Sequence, residues 1–264
     1  MGIYTISHQK VETEVHKIIQ YLAATANSFL PKKKDDSHIN LKSLTGCGCI
    51  TTRPLNQNND VLAFSYSSFS IEWWVGDTAK IKFPLQGKSH SEVLNWIGLR
   101  AIESGISLPL KYEMHYQLPY KTITDNYVYH LENIPRLKQI MHYRLMAHLA
   151  LEDALQEFKP HSEIRVWPHH FDIASLYTFN KRKRHSIGLG MALPDDNYSN
   201  FYLYVKGYAG ELAVNVNNIS ELKNGYWNTT FNGAVLELSD KSTIKEGYQF
   251  FKEATHKLKA GGRV

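Results

Sequence analysis

Cysteine is nearly absent from this chain. Cys47 and Cys49 are the only two in 264 residues, one spacer apart with no third to pair with, which excludes a disulfide framework. Long apolar runs are missing, so no segment reads as a membrane span and no membrane partner is expected. Residues 1–8 show no basic region followed by an apolar core, so no secretory leader is expected either. A reducing cytoplasm is the expected compartment, where the Asn228-Thr229-Thr230 sequon carries no meaning. There is no glycine-rich phosphate loop, no Gly-x-Ser-x-Gly elbow and no dinucleotide fingerprint after a strand, which argues against nucleotide-driven and serine-hydrolase chemistry. Charge of one sign is also lacking: 30 Lys and Arg face 25 Asp and Glu, a net of +5.

What the chain has is aromatic surface and imidazole. Aromatic residues make up 12%, with 16 Tyr and 5 Trp, and there are 13 His. The 43% hydrophobic and 21% charged content is that of a globular protein able to bury a core. So many rings must pack in that core or line a pocket.

Hydrophobic periodicity organises the rest. Val11, Val15, Ile18, Ile19, Leu22, Ala23, Ala26, Phe29 and Leu30 form one helical stripe, ended by Pro31 and Lys32-Lys33-Lys34. Residues 38–44, 47–55, 61–66, 70–75 and 80–83 read as strands of an antiparallel meander, with Gly76-Asp77 as a hairpin signal. Ser89 and Glu92 form a capping box, and Gly105 suits the position after the helix end. Residues 108–129 read as a long ordered connection, because their five tyrosines are too aromatic for a disordered linker. A helix opened by Pro135 runs to Pro160. Strands follow at 163–167, 171–179, 186–193, 201–207, 211–216 and 233–238, then a helix capped by Thr243 and Glu246.

Both halves thus share one order: helix, antiparallel strands, capped helix. The expected fold is α+β, with two related halves from an internal duplication, at 1–130 and 131–264, each an antiparallel sheet flanked by helices. Lys88-Ser89 and Lys241-Ser242 mark equivalent junctions.

The densest chemistry lies in Trp167-Pro168-His169-His170-Phe171-Asp172. Continued as a strand, it puts His170 and Asp172 on one face. There they could hold two cis positions on a divalent metal, with a third ligand from His38, His142, His148 or His185. Asp172 could instead orient an imidazole that acts as general base, or the pair could only knit the sheet. Tyr202 and Tyr204, also two apart on one strand face, complete with Trp167, His169 and Trp227 an expected aromatic pocket for a small molecule. Cys47-Gly48-Cys49 has one spacer where zinc sites use more, so two small buried residues are expected. His142 and His148, six apart, point to nearly opposite helix faces. Asp195-Asp196 and Asp35-Asp36-Ser37-His38 suit tight turns. Lys181-Arg182-Lys183-Arg184 belongs on a hairpin tip; its reading as a single-strand nucleic-acid contact ranks below a solvated loop.

The run Trp167-Pro168-His169-His170-Phe171-Asp172-Ile173-Ala174 resembles the W-P-H-H-F-D-I-A segment of a family of uncharacterised bacterial proteins. Asp35-Asp36-Ser37-His38-Ile39-Asn40-Leu41 is similar to that family's D-D-S-H-x-N-L. Ser186-Ile187-Gly188-Leu189-Gly190-Met191, with Asp195, Tyr198 and Phe201-Tyr202-Leu203-Tyr204-Val205, is similar to a further segment. The chain departs at Gly225-Tyr226-Trp227-Asn228, where the family has G-H-W-H, and at Ala192-Leu193-Pro194-Asp195, where it has S-P-G-D. The resemblance implies a fold rather than a reaction. Its missing histidines remove two metal ligands, if ligands they are. The function expected is therefore small-ligand or metal binding through an aromatic pocket with a His/Asp pair, against a structural or interaction module without catalysis.

Overall fold

The structure, a computed structural model, describes residues 4–76 and 79–260. By compactness the chain divides into two units. One comprises Ile6–Met141 and Val166–Phe171; the other comprises residues 4–5, His142–Arg165 and 172–260.

The first unit opens with helix α1, Ile6–Phe29. Val15, Ile18, Ile19, Leu22 and Ala26 on its apolar stripe are fully buried. It stops two residues before Pro31, as expected where proline disfavours helical geometry in the residue before it. Strands β1 (Lys42–Leu44), β2 (Cys49–Thr51), β3 (Val61–Ser65), β4 (Ser70–Val75) and β5 (Ala79–Pro84) follow. They pair in chain order as an antiparallel meander. The register sets Leu62 opposite Trp73 and Phe64 opposite Ile71. All four side chains are buried, and β3 packs on α1. Helix α2, His90–Glu103, starts at the expected capping box: Glu92 N–H donates to Ser89 Oγ and Ser89 N–H to Glu92. Gly105 follows the helix end with φ +77.

Residues 106–131 form neither helix nor strand, yet Tyr129 is fully buried. Helix α3, Ile134–Gln156, begins in the first unit and continues in the second. The remaining strands are β6 (Arg165–Val166), β7 (Ile173–Asn180), β8 (His185–Ala192), β9 (Tyr202–Ala209), β10 (Leu212–Ala213), β11 (Tyr226–Asn228) and β12 (Gly233–Glu237), before helix α4, Ile244–Ala260. Their sheet runs β11-β12-β9-β8-β7-β6, with β10 paired to β9. On α4, Phe250, Phe251, Ala254 and Leu258 are buried, and the helix packs on β9.

The α+β class and both antiparallel sheets stand as expected. Several strands are shorter than their apolar patterns. Residues 38–41 precede β1 rather than belong to it, and Cys47 lies exposed in the turn before β2, not buried beside Cys49. Burial pushes the Cys49 thiol up to about 12, which leaves it an inert core residue. Of 211–216 only Leu212–Ala213 pairs. Strand β11 was invisible to alternation because it is three residues long. Asp77 of the expected hairpin lies outside the described residues. A common origin of the halves finds no support in topology: one sheet is sequential, whereas in the other β12 inserts beside β9.

Candidate ligand site

The segment that carries the sequence-level candidates is not a strand. Pro168, His169 and His170 form a turn, closed by Phe171 N–H donating to the Trp167 carbonyl at 2.7 Å. Phe171 takes φ +55. Proline has no N–H to give a ladder, and a left-handed residue breaks the pleat. The two-residue alternation that placed His170 and Asp172 on one face therefore does not apply. The boundary between the units falls after Phe171, so Trp167, His169 and His170 belong to the first unit and Asp172, Tyr202, Tyr204 and Trp227 to the second.

Within the first unit the turn is held by α1. His16 Nε2 lies 2.7 Å from the Pro168 carbonyl oxygen, and Gln20 Nε2 donates to the same oxygen at 2.9 Å. The His16 ring stacks on Phe171, with centroids 5.2 Å apart and planes 8° from parallel. Val166 exchanges both backbone hydrogen bonds with Leu41. Sequence reasoning missed this polar side of α1. His8, Glu12, His16 and Gln20, each four residues from the next, are all buried. Polar residues at strict four-residue spacing beside an apolar stripe are the signal that points to it.

The tyrosine-rich connection covers this face. Tyr116 OH donates to Gln20 Oε1 at 2.7 Å. The Tyr120 ring meets His16 edge-on at 5.4 Å. Tyr129 OH donates to Tyr21 OH at 3.0 Å, and Tyr21 OH lies 2.6 Å from His90 Nδ1. Burial drives Tyr21 and Tyr129 far above the ordinary phenol range and His90 below the ordinary histidine range. The relay therefore consists of neutral groups, with Tyr21 donating to an unprotonated ring nitrogen.

His169 is half-buried among rings: Trp167 at 6.1 Å, Tyr116 at 5.6 Å and His170 at 4.2 Å. Burial first, then His170 and His115, lower its proton affinity, and Asp36 opposes them. Asp36 bonds His115 Nε2 at 3.1 Å and itself adopts φ +52. Two segments remote in sequence, 36–38 and 167–170, thus meet around His115, and Asp36 is a carboxylate of this unit whose charge acts on His38 and His169. His38 is buried and used structurally: its Nδ1 accepts from Lys33 N–H at 3.3 Å, and its Nε2 faces Asn27 Oδ1 at 3.3 Å. His170 is exposed.

Beside Tyr116 opens a cavity of 410 Å³ walled by Tyr112, Met114, Leu118, Tyr120 and Ile123, with Lys121 and Thr122. Burial pushes Tyr112, Tyr116 and Tyr120 above the ordinary phenol range, so they present neutral hydroxyls and ring faces.

In the second unit, Tyr202 and Tyr204 share a face of β9, as the alternation requires. Tyr202 OH donates to Asp195 at 2.8 Å and Tyr204 OH to Asp172 at 2.9 Å. Burial and then the carboxylates raise both phenols, which keeps them as donors. Tyr202 packs with Tyr198 and Val235, and Tyr204 and Phe231 lie against that cluster. Asp195 also receives the N–H groups of Asn197 and Tyr198, at 2.8 and 3.1 Å, the turn role expected of it. Trp227 Nε1 donates to the Ser220 carbonyl at 3.0 Å. The basic run 181–184 forms the exposed tip of the β7–β8 hairpin, where Arg184 pairs with Glu211 at 3.1 Å.

Among the described residues no three His, Cys, Asp or Glu side chains converge in a way that would hold a metal ion. No helix among them is long and apolar enough to cross a membrane. No protein-family model, curated protein or solved structure matches this chain, so the site is read from its own geometry.

Proposed function

We propose that this protein binds a small planar molecule in the tyrosine-walled cavity of its first unit, next to His169. The observation that carries the reading is the position of Tyr116. It lines the 410 Å³ cavity, and its ring centroid lies 5.6 Å from that of His169. Ring faces and a few polar groups around a concave space are the usual make-up of a small-molecule seat. His169, held neutral at pH 7 by burial and by its histidine neighbours, is able to accept a hydrogen bond from the ligand or take a proton from it. The hydroxyl of Tyr116 is engaged by Gln20, which fixes its ring.

The test is calorimetric titration with indole, benzimidazole and related planar heterocycles. Leu118→Trp fills the cavity from its own wall, and abolishes binding while the melting temperature holds. Unchanged affinity in Leu118→Trp would remove the cavity from the reading. His169→Phe keeps the ring stack and loses the acceptor; it weakens only ligands that carry a donor.

A second reading, a structural or interaction module, draws on the second unit. There Asp172 and Asp195 are each engaged by a tyrosine hydroxyl, the arrangement of carboxylates that knit a sheet rather than act on a substrate.

A further inference from the structure

A different cavity in the same unit carries a different ligand chemistry. It measures 560 Å³ and lies between the first half of α1 and residues 127–133. Its floor is a charged triad. Glu14 Oε1 receives Lys17 Nζ at 3.0 Å and also the hydroxyl of Tyr127. Lys17 Nζ donates to the same Tyr127 hydroxyl at 2.7 Å. The Lys17 and Glu14 side chains are 13% and 15% exposed, so this is a sheltered ion pair rather than a surface one. The lining also includes buried Val11 and Leu131 and exposed Ile6 and Val128, the last two 74% and 50% exposed.

The triad is unevenly satisfied. Both donors converge on one oxygen of Glu14, and Oε2, shielded from solvent, has no partner among the described residues. Lys17 has three N–H groups and spends two. Glu14 and Lys17 both line the cavity, so a ligand there meets the pair directly. The floor then offers one acceptor and one donor side by side. Its charges cancel within the pair, and those of Lys10 and Glu132 on the same lining cancel as well, so a net cation or anion finds no excess of opposite charge.

We infer that this cavity binds a neutral compound that presents an amide edge, N–H beside C=O, joined to an apolar body. The N–H goes to the Glu14 carboxylate and the C=O to the third N–H of Lys17. The body leaves along Val11 and Leu131 past Ile6 and Val128, whose exposed side chains it covers. A lactam, a primary carboxamide or an imide ring meets this description. The aromatic cavity plays no part in it, so either site can fail alone.

The experiment is calorimetric titration of the full chain with ε-caprolactam and benzamide, alongside N-methylcaprolactam, hexylamine and hexanoate. Binding of the two amides, with N-methylcaprolactam weaker by about tenfold or more, is the expected result. Glu14→Gln keeps the shape but replaces one oxygen with an NH₂ group, and weakens the amides by a similar factor. Lys17→Met does the same through the carbonyl. Unaltered near-ultraviolet circular dichroism shows that both variants remain folded. N-methylcaprolactam binding as well as its parent overturns the amide edge, as does binding of hexylamine or hexanoate in place of the amides. Amide binding that survives both substitutions moves the ligand out of this cavity and overturns the assignment.

Discussion

His16 Nε2 and the Pro168 carbonyl oxygen lie 2.7 Å apart, so the middle of α1 carries the turn that presents His169 and His170. Gln20 shares that carbonyl at 2.9 Å. Each buried donor contributes about 1–2 kcal/mol. His16→Ala and Gln20→Leu are expected to lower stability by that order in urea unfolding. The double variant should lose more than the sum, because either donor alone still satisfies the shared acceptor and only their joint loss leaves it bare. Full additivity would show that the two donors do not share it.

Stability falls on mild acidification. Burial lowers the proton affinities of His90 and His148 below the ordinary histidine value. Above about pH 6.5 both are neutral whether the chain is folded or not, and contribute no pH dependence. Below it the unfolded chain takes up protons that the folded chain resists, so stability drops as pH falls toward the lowered folded values. His148 Nδ1 is buried without a partner among the described residues. His148→Leu should therefore gain on the parent protein steadily from pH 7 to pH 5 in melting temperature. A constant difference across that range contradicts the assignment.

Gly190→Ala tests the second sheet. A Cβ there would stand 2.5 Å from the Ile173 carbonyl oxygen and 2.6 Å from Ala174 Cβ, opposite its own ladder partner. The strands must part to admit it, at about 2–4 kcal/mol. Near-parental stability in chemical denaturation would mean that β7 and β8 do not pair in this register.

Tyr204→Phe and Asp172→Asn probe the 2.9 Å contact as a double-mutant cycle. A buried hydroxyl on a carboxylate predicts a coupling of about 1–3 kcal/mol. Absence of coupling in the cycle counts against the structural reading of Asp172.

The helices were plain in the residue order because their periodicity is long and their caps are local. The stripe from Val11 to Phe29 and the Ser89–Glu92 box each need nothing beyond a few neighbouring residues. The five-stranded meander was legible for the same reason, since each strand meets the next in the chain. Strand ends were not: Ile39, Leu41, Val214 and Val216 are buried outside any strand, and Leu41 pairs only with Val166, remote in the chain.

The site was legible in its ingredients and not in its assembly. Trp167, His169, Tyr202 and Tyr204 were singled out by type, but the cavity tyrosines Tyr112, Tyr116 and Tyr120 were read only as an ordered connection, and a period-two reading joined His170 to Asp172 across the break that Phe171 introduces. The acid that reaches His169's surroundings is Asp36, more than a hundred residues earlier in the chain. No local pattern reports which loops meet.

Residue order alone dictates the α+β class, the amphipathic helices and the sequential hairpins, because hydrophobic period and capping act over one or two turns of chain. Tertiary packing alone chooses which polar side chains meet: the Glu14–Lys17 pair with Tyr127, His16 with Pro168, Asp36 with His115. The reason is physical. Burial is non-directional and can be satisfied by many neighbours, whereas a hydrogen bond between distant residues exists only once the whole chain has brought two particular atoms within 3 Å or so of each other.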